Sequence, residues 1–263
     1  MVSTMTSFGT HLRTWRGTRH MSQLQLASEA DVSSRHISFL ESGRASPSRA
    51  MILRLCDVLD IPTNQRNVLL ESAGFAPQHH RSELTEEHMQ SVVGAMRLML
   101  DKHNPYPAVV MDRLWRLVDL NDTAAKLFGA AGLAKGDSLL AWVSHTKMAP
   151  QVIENWAEVG HHTMIRIRAE SRAQGGVAEL DRAADHLSRD PDIQAFVPEP
   201  SLSPVIRTIY RAGPMRLAMI STYASFGGAE DLTIADLKIE LMFPATPEAV
   251  SYTHLTLPTI LRV

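Results

Sequence analysis

The segment from Met21 to Gly43, MSQLQLASEADVSSRHISFLESG, constrains the fold more than any other part of the chain. Its small and apolar residues recur at the spacing of two short helices joined by a tight turn. Ser22 is a candidate N-cap for the first helix, and Gln25 follows three residues later, as in a capping box. Ser33 is the corresponding candidate for the second helix. The segment therefore predicts two short helices with a turn between them.

Four residues of this segment predict how the two helices cross. Ala27 is small enough to lie where the two backbones approach each other. Val32, Ile37 and Leu40 form an apolar seam that fixes the angle between the helices. The turn requires a positive φ and usually takes glycine, but here it holds Asp31, which adopts that conformation more readily than most residues. This joint spacing predicts a helix-turn-helix, which binds double-stranded DNA; the alternative is a plain helical hairpin with a solvated polar face.

The second helix presents polar side chains outward if Ile37 and Leu40 point into the core. An arginine at its start can read guanine in the major groove, and serine or histidine can contact bases or phosphates. Gln23 begins the first helix, where its amide can contact a phosphate beside the N-terminal amides of that helix. The candidate DNA-contacting residues of this segment are Gln23, Ser33, Ser34, Arg35, His36 and Ser38.

Further helices surround this motif. An amphipathic helix ends near Gly17, and Ser46-Pro47 is a candidate helix start, with serine as N-cap and proline at the first helical position. A last helix spans about residues 63 to 73 and is ended by Gly74. Five helices within residues 1–76 predict an all-α domain of the lambda-repressor type.

A second domain is predicted after a linker at residues 77–85. A helix over about residues 86 to 102 ends before two prolines, and two strands joined by a turn follow. Asn121 then caps another helix. This order is typical of the start of a PAS-like domain, so we expect an α+β domain with an antiparallel sheet over residues 86–245. The remaining predicted helices span about residues 150–173 and 177–188, and the predicted strands span 108–111, 115–120, 205–211, 215–223 and 239–243.

Several stretches resemble a known family of transcriptional regulators. LESGRASPSR followed by LDIPTNQRNVLLESAGFAP resembles the N-terminal domain of XRE-family regulators. PYPAVVMD, the N-x-x-A-A step, NWAEV near Trp156 and TYASFGGAEDLTIADLKIELMFPA resemble the MmyB-like ligand-binding domain attached to such regulators. The resemblance implies that Arg44 contacts the phosphate backbone and that Glu41 steadies the loop. It also implies a cavity for a small, largely apolar ligand, which is fatty-acid-like in some members.

The predicted cavity of the second domain has nine candidate lining residues. All are aromatic or apolar and lie on the predicted strands or helices. Ordinary core packing is the alternative for each of them. The candidates are Tyr106, Val109, Met111, Trp115, Leu117, Trp142, Trp156, Met219 and Tyr223.

Composition and charge indicate the partners. Residues 1–76 carry eight Lys and Arg against six Asp and Glu, whereas the remainder carries 18 against 22. This small asymmetry has the sign expected of a DNA-contacting domain and favours a sequence-specific homodimer on a near-palindromic operator. No apolar run is as long as a membrane span, and no secretory pattern is present. A single cysteine, Cys56, predicts no disulfide, so we expect a cytoplasmic protein and no membrane partner.

No pattern in the sequence indicates catalysis. We find no phosphate-binding glycine loop, nucleophile elbow or zincin helix. Glu158 and His162 are four residues apart on one helix, where they form either an exposed ion pair or two ligands of a metal site without an evident third. We therefore predict neither an enzyme nor a bound metal or cofactor. Two alternatives stay open, namely a DNA-tethered enzyme and an antitoxin-like protein-interaction module.

The end of the chain, residues 246–263, departs from the family pattern. It is rich in threonine and has no acidic residue after Glu248. An additional strand is one interpretation. We favour a non-native extension, and we predict that the residues from about Ser251 are disordered or extended and dispensable for stability.

Overall fold

The structure is a computed structural model that describes residues 7–145, 147–198, 205–212, 215–246 and 249–250. These residues divide into two compact units. The first contains the chain up to Arg81 together with Glu170–Val177 and Glu230–Leu232. The second contains Ser82–Ala169, Ala178–Ala229 and the described residues from Thr233 onward. The break after Arg81 lies within the predicted linker.

The first unit contains the predicted five helices. They are α1 (Phe8–Thr18), α2 (Gln23–Glu29), α3 (Ser34–Glu41), α4 (Arg49–Val58) and α5 (Thr63–Ser72). The capping box of α2 is confirmed, because the Ser22 hydroxyl accepts from the backbone of Gln25 and the Gln25 side chain accepts from the backbone of Ser22. Ser33 caps α3 by accepting from the backbone N–H of His36. These local hydrogen bonds satisfy amides that the first turn of a helix leaves unpaired.

The start of α4 differs from the prediction. The N-cap is Ser48, whose hydroxyl accepts from the backbone N–H of Met51 at 3.2 Å. The prediction of Ser46 was therefore wrong by two residues. Pro47 precedes the cap rather than occupying the first helical position. Positions 46 and 48 are both serines, so the residue type alone does not distinguish them.

The core of the first unit lies between its helices. Leu12, Ile37 and Leu55 are completely buried there, and Cys56 belongs to the same cluster. Helices α1 and α3 approach closely at Gly9, because a Cβ built at this position would lie 2.6 Å from the carbonyl oxygens of α3. A larger residue would push α3 away, so Gly9 helps to set the position of this helix.

The second unit is α+β. A 3-10 turn (Glu87–Met89) leads into its first long helix, α6, and eight further elements precede the late strands. The helices are α6 (Gln90–His103), α7 (Asp122–Ala130), α8 (Leu139–His145), α9 (Ala149–Val152), α10 (Trp156–Ala173), α11 (Ala178–Leu187), α12 (Pro191–Ala195) and α13 (Leu232–Ala235). The strands are β1 (Ala108–Met111), β2 (Leu117–Leu120), β3 (Thr208–Ala212), β4 (Met215–Ala224) and β5 (Lys238–Pro244).

The five strands form one antiparallel sheet in the order β2-β1-β5-β4-β3. Ala108, Val110 and Ile239 share a buried cluster with α6, which covers one face of the sheet. Directly paired residues lie on the same face of a sheet. Tyr223 pairs with Glu240, and Glu240 pairs with Val109, so these three residues define the opposite face.

The bounds of one strand and one helix of the second unit differ from those that the sequence predicted. Strand β2 begins at Leu117, because Trp115 has a φ of +60° and belongs to the turn. The predicted helix over residues 150–173 is interrupted at Ile153, which bridges to Tyr210. The next residue, Glu154, donates its backbone N–H to Ile209 of β3 at 2.8 Å. Pairing with β3 therefore splits the predicted helix into α9 and α10.

The predicted fold class is confirmed. The N-terminal region is all-α and contains a helix-turn-helix, and the C-terminal unit is α+β with an antiparallel sheet. The predicted tail from about Ser251 lies outside the described residues. Just before it, Ala249 is buried and its backbone N–H donates to the hydroxyl of Thr246. None of the described helices is both long enough and apolar enough to cross a membrane.

Candidate DNA-binding surface and ligand cavity

Helix α3 presents the predicted DNA-contacting residues on its outer side. Ile37 and Leu40 are buried in the core, as the spacing predicted. The outward positions follow from that packing, because residues three and four apart share one face of a helix. Ser33, Ser34 and Arg35 are exposed, while His36 and Ser38 are half-buried.

The turn between α2 and α3 holds Asp31 at a φ of +51°. The predicted left-handed conformation is therefore confirmed at this residue. The Val32 backbone N–H donates to the Ala27 carbonyl at 2.9 Å, which closes the end of α2. The turn thus places the start of α3 without a glycine, at the conformational cost that a side chain with positive φ carries.

Phe39 joins the two arginines that the sequence predicted to contact DNA. The guanidinium carbon of Arg35 lies 5.2 Å from the centroid of the Phe39 ring, and that of Arg44 lies 6.0 Å from it. Cation–π contacts of this kind restrict where a long arginine side chain can point. Sequence analysis missed Phe39 as a positioning residue. Phe39 follows Arg35 by four residues on the same helix, and this spacing could have indicated that the two side chains contact each other.

Glu41 anchors the end of α3 to the rest of the unit. Its carboxylate accepts from Arg16 at 2.6 and 3.0 Å and from the side-chain amide of Gln23 at 2.8 Å. Burial alone would raise the pKa of Glu41, but these hydrogen bonds and the charges of Arg16 and Arg13 lower it. Gln23, predicted to contact a phosphate, is therefore held by Glu41 at the start of α2.

The second unit contains a cavity of about 480 Å³ between α7, α8, α10 and the sheet. Its wall combines aromatic, aliphatic and polar side chains from elements far apart in the sequence. The lining residues are Trp115, Leu127, Phe128, Ala131, Leu139, Trp142, Val143, Val152, Ile153, Val159, His162, Thr163, Arg166, Val205, Ile206, Thr208, Tyr210, Ser221, Tyr223, Glu240 and Met242.

Three of the nine predicted lining residues, Trp115, Trp142 and Tyr223, lie in this wall. The structure places the other six elsewhere, mostly in the packed core. Helix α7 packs against β1 and β2, which carry three of them. Trp156 donates its indole N–H to Asp190, and Tyr106 lies beside His103. The six residues outside the wall are Tyr106, Val109, Met111, Leu117, Trp156 and Met219.

A charged cluster forms the polar end of the cavity. The guanidinium carbon of Arg166 lies 4.1 Å from the ring centroid of Trp115 and 4.7 Å from that of Tyr223. Arg166 donates a hydrogen bond to the Tyr223 hydroxyl. That hydroxyl donates in turn to Glu240 at 3.0 Å. A buried carboxylate and a guanidinium are thus connected through one phenol at the cavity wall.

The titratable groups around this cluster are shifted towards their neutral forms. Burial raises the pKa of Tyr210, and the negative charge of Glu240 adds to the shift. The pKa of Tyr223 is raised by the same two causes. Burial also lowers the pKa of His162, with a further contribution from His161. All three groups are therefore uncharged near neutral pH.

Sequence analysis missed Arg166, Glu240, Tyr210 and His162 as lining residues. The sequence pattern favours solvent exposure for the charged residues Arg166, on a helix, and Glu240, on a strand. A signal existed for Glu240, because a carboxylate interrupts the apolar alternation of KIELMFP. This signal indicates that one face of β5 is not simply apolar, but it does not indicate which residues face Glu240 across the cavity.

Glu158 and His162 form neither a hydrogen bond nor an ion pair in the described part of the chain, although the charge of Glu158 partly opposes the lowering of the His162 pKa. The carboxylate of Glu158 instead accepts from the side-chain amide of Asn155 at 2.9 Å. Nor do three or more His, Cys, Asp or Glu side chains of the described residues come together as metal ligands.

Two family models match the chain. One, described as the MmyB-like transcription regulator ligand binding domain, matches residues 92–255, more than half of the chain. The chain belongs to the MmyB-like transcription regulators. The second model, described as a helix-turn-helix domain, matches residues 7–69 of this regulator. A comparison with curated proteins finds no match.

The two matches confirm the resemblance to a helix-turn-helix regulator with an MmyB-like ligand-binding domain. The regulator combines a DNA-binding helix-turn-helix with a ligand-binding domain on one chain. The cavity lies within the region that the ligand-binding model matches. That match runs to residue 255, past the predicted end of the domain at residue 245.

Proposed function

We propose that this regulator is an XRE-type, cytoplasmic homodimer that binds a near-palindromic operator and responds to a small, largely apolar ligand, fatty-acid-like in its chain. Residues 1–76 carry the DNA-binding function, and residues 86–245 form a PAS-like ligand-binding domain. The observation that carries this proposal is the cavity of about 480 Å³ inside a ligand-binding domain attached to a helix-turn-helix.

Direct reading of DNA falls to α3 in this proposal. Arg35 is exposed near the N-terminus of the helix, the end that enters the major groove in such motifs. Ser33, Ser34, His36 and Ser38 add donors and acceptors on the same side. Gln23 and Arg44 contact the phosphate backbone and fix the register of α3, because phosphate contacts position a protein without reading the sequence.

The ligand acts by binding two states of the protein with different affinity. A ligand that fills the cavity stabilises the state in which the cavity is formed. If the DNA-binding helices are arranged differently in that state, ligand binding changes the affinity for DNA. In a homodimer the relevant geometry is the spacing of the two α3 helices, which must match half-sites about one helical turn apart, roughly 34 Å.

DNA binding is tested by selecting operator sequences from random duplexes with the full chain and measuring affinity by fluorescence anisotropy. Arg35→Ala should weaken binding to the selected site by about 1–3 kcal/mol and leave binding to random DNA nearly unchanged. Arg44→Ala should weaken binding to both kinds of DNA alike. It should also reduce the slope of log affinity against log salt concentration by about one. Lys126→Ala, which removes an exposed charge from α7, is the matched control. Unchanged operator affinity of Arg35→Ala would contradict the role of α3.

Ligand binding is tested by mass spectrometry of the small molecules that copurify with the full chain. Val159→Phe adds a ring at the cavity wall and should remove the bound molecule. Val197→Phe makes the same change at a residue that is 75% exposed and should retain it. A molecule kept by both variants would not occupy this cavity, and the ligand-binding part of the proposal would fail.

A further inference from the structure

We propose that helix α10 transmits the occupancy of the cavity to the helix-turn-helix, and that Gly175, packed against Trp15, is the positioning residue through which it does so. This inference rests on the proposed ligand response and specifies the contact that carries it. Neither residue lines the cavity, and neither belongs to the candidate DNA-contacting residues.

Helix α10 begins in the second unit and ends in the first. Its cavity-lining residues are three or four positions apart and therefore share one face of the helix. They are Val159, His162, Thr163 and Arg166. Arg166 lies about two turns before the end of α10, or about 10 Å along the axis. The last four residues of the helix belong to the first unit together with the turn that follows, residues 174–177. A helix is a rigid element, so a shift at its cavity face also displaces its last turn.

The turn after α10 is held by its own hydrogen bonds. Ser171 is 1% exposed, and its hydroxyl accepts from the backbone N–H of Val177 at 2.8 Å. The backbone N–H of Gly176 donates to the carbonyl of Ser171 at 2.9 Å. Gly175 and Gly176 have φ values of +81° and +96°, a conformation that favours glycine. The turn therefore has a defined shape and follows the last turn of α10.

Gly175 packs directly on the indole ring of Trp15, and both residues belong to the first unit. A Cβ built at Gly175 would lie 2.5 Å from Cζ2 of Trp15 and 3.0 Å from Cε2 and Cη2. These distances are shorter than van der Waals contact, so no space separates the turn from the ring. Trp15 is 2% exposed and belongs to the core of the unit. Because a close-packed core transmits strain, a shift of the turn displaces Trp15 and with it α1.

Helix α1 is in turn attached to α3. Arg16, the residue after Trp15, donates to the buried carboxylate of Glu41 at the end of α3. At Gly9 the backbones of the two helices already approach closely. A ligand that favours one position of α10 therefore favours one position of α3. By linkage, operator binding changes the affinity for the ligand by the same factor.

The other late segment of the first unit, Glu230–Leu232, is connected less directly to the cavity. The backbone N–H of Leu232 donates to the carbonyl of His80 at 2.8 Å. Between Leu232 and Glu240 on the cavity wall, the chain passes through α13 and a turn before it enters β5. Helix α10, by contrast, is uninterrupted from its lining residues to the turn that contains Gly175. The connectivity therefore favours α10.

The inference is tested with dodecanoic acid as the probe and with the full chain freed of bound lipid on a hydrophobic resin. Calorimetry measures binding of the probe, and fluorescence anisotropy measures operator affinity with and without saturating probe. In the wild type, the probe should change operator affinity at least about fivefold. Gly175→Ala should reduce this change to less than about twofold. Because Gly175 does not line the cavity, the affinity of this variant for the probe should change by less than about threefold.

Two further variants separate the contact from the strain of the turn. Gly176→Ala also places a Cβ at a positive φ, but this Cβ meets no atom within 4 Å, so the change of at least about fivefold should remain. Trp15→Phe removes the part of the indole that faces Gly175 instead of crowding it, and it should reduce the change to less than about twofold. Thermal melting by circular dichroism establishes that each variant is folded. Trp15→Phe decides the test if Gly175→Ala does not fold.

Hydrogen exchange measured by mass spectrometry gives a second readout, which requires no DNA. The probe should slow amide exchange in wild-type peptides of α10 that contain Arg166. It should also slow exchange in peptides of α1 that contain Trp15, because stabilising α10 stabilises the contact at its end. In Gly175→Ala and Trp15→Phe, only the peptides of α10 should respond.

The outcomes separate this inference from the proposed function. A full change in operator affinity in Gly175→Ala or Trp15→Phe would overturn the inference and leave the proposed ligand response standing. Slower exchange in α10 of the wild type without slower exchange at Trp15 would also overturn it. If the probe binds the wild type without changing operator affinity, the proposed response is overturned and the inference with it. If the probe does not bind, the proposed fatty-acid-like ligand is overturned, and the inference again fails with it.

Discussion

The guanidinium of Arg16 donates to the carboxylate of Glu41 at 2.6 and 3.0 Å, and this pair connects α1 to the end of α3. The Glu41 side chain is 1% exposed and that of Arg16 is 17% exposed. A second nitrogen of Arg16 donates to the carbonyl of Met21 at 2.8 Å. The helix predicted to read DNA is thus held at its C-terminal end by a buried ion pair.

We predict that Glu41→Gln lowers the free energy of unfolding of the first unit by about 2–4 kcal/mol at neutral pH, because Arg16 loses its counter-charge. The pKa of Glu41 is lower in the folded state than its ordinary value of 4.5. The stability that this carboxylate contributes is therefore complete above that value and is lost as the pH falls through the folded pKa.

Urea unfolding of the full chain at several pH values between 7.5 and 3.5 checks this prediction by circular dichroism. The difference between wild type and Glu41→Gln should become smaller below about pH 4.5. Glu29→Gln, at an exposed position of α2, should differ little from wild type throughout. A difference between wild type and Glu41→Gln that is constant over this range would contradict a role for the Glu41 charge.

The positive φ of Asp31 leads to a second prediction. Glycine adopts this conformation without steric cost, whereas alanine has a Cβ and tolerates the left-handed region less readily than aspartate does. Asp31→Gly should therefore be more stable than wild type, and wild type more stable than Asp31→Ala, with steps of about 0.5–1 kcal/mol in the free energy of unfolding. The melting temperatures should follow the same order. The same substitutions at exposed Ser28, inside α2, should give the opposite order for glycine and alanine. Equal melting temperatures for the two Asp31 variants would contradict the assigned turn.

The sequence was sufficient wherever a feature depended on neighbours along the chain. Ser22, Ser33 and Asn121 cap their helices as predicted, because a cap bonds amides only two or three residues away. The break at Ile153 could not be predicted, since it depends on pairing with Tyr210 across 57 positions of sequence.

The cavity was the least predictable feature. Its wall combines residues from four helices and three strands, so it depends on how these elements pack and not on the periodicity of any one of them. Aromatic residues were selected for their size, yet large side chains also fill ordinary cores, as Trp156 and Met219 do. Arg166 was missed because a lone arginine on an amphipathic helix usually faces solvent.

The buried thiol of Cys56 leads to a third prediction. The residue is completely buried in the first unit, and burial raises the pKa of its thiol to about 11. The thiolate is the reactive form, so the folded protein should resist alkylation by iodoacetamide at pH 8. Unfolding in urea should restore the reactivity of an ordinary cysteine, as measured by mass spectrometry. Rapid alkylation of the folded protein would show that this helix face is not closed.

Asn121 leads to the last prediction, because its side chain does more than cap α7. Its oxygen accepts from the backbones of Ala108 and Ala124, and its nitrogen donates to the carbonyls of Leu100 and Tyr106. The residue is 2% exposed, so removing it leaves several buried groups unpaired, at about 1–3 kcal/mol each.

Asn121→Ala should therefore destabilise the second unit by at least about 3 kcal/mol in a calorimetric scan of the full chain. Asn121→Asp keeps the acceptor of the cap but loses both donors and brings a negative charge close to two carbonyl oxygens, so it should be at least as destabilising as alanine. Asp122→Ala, at the exposed next position, should cost about 1 kcal/mol or less. If Asn121→Asp were as stable as wild type, the cap alone would account for this asparagine, and the bonds to α6 and β1 would contribute little.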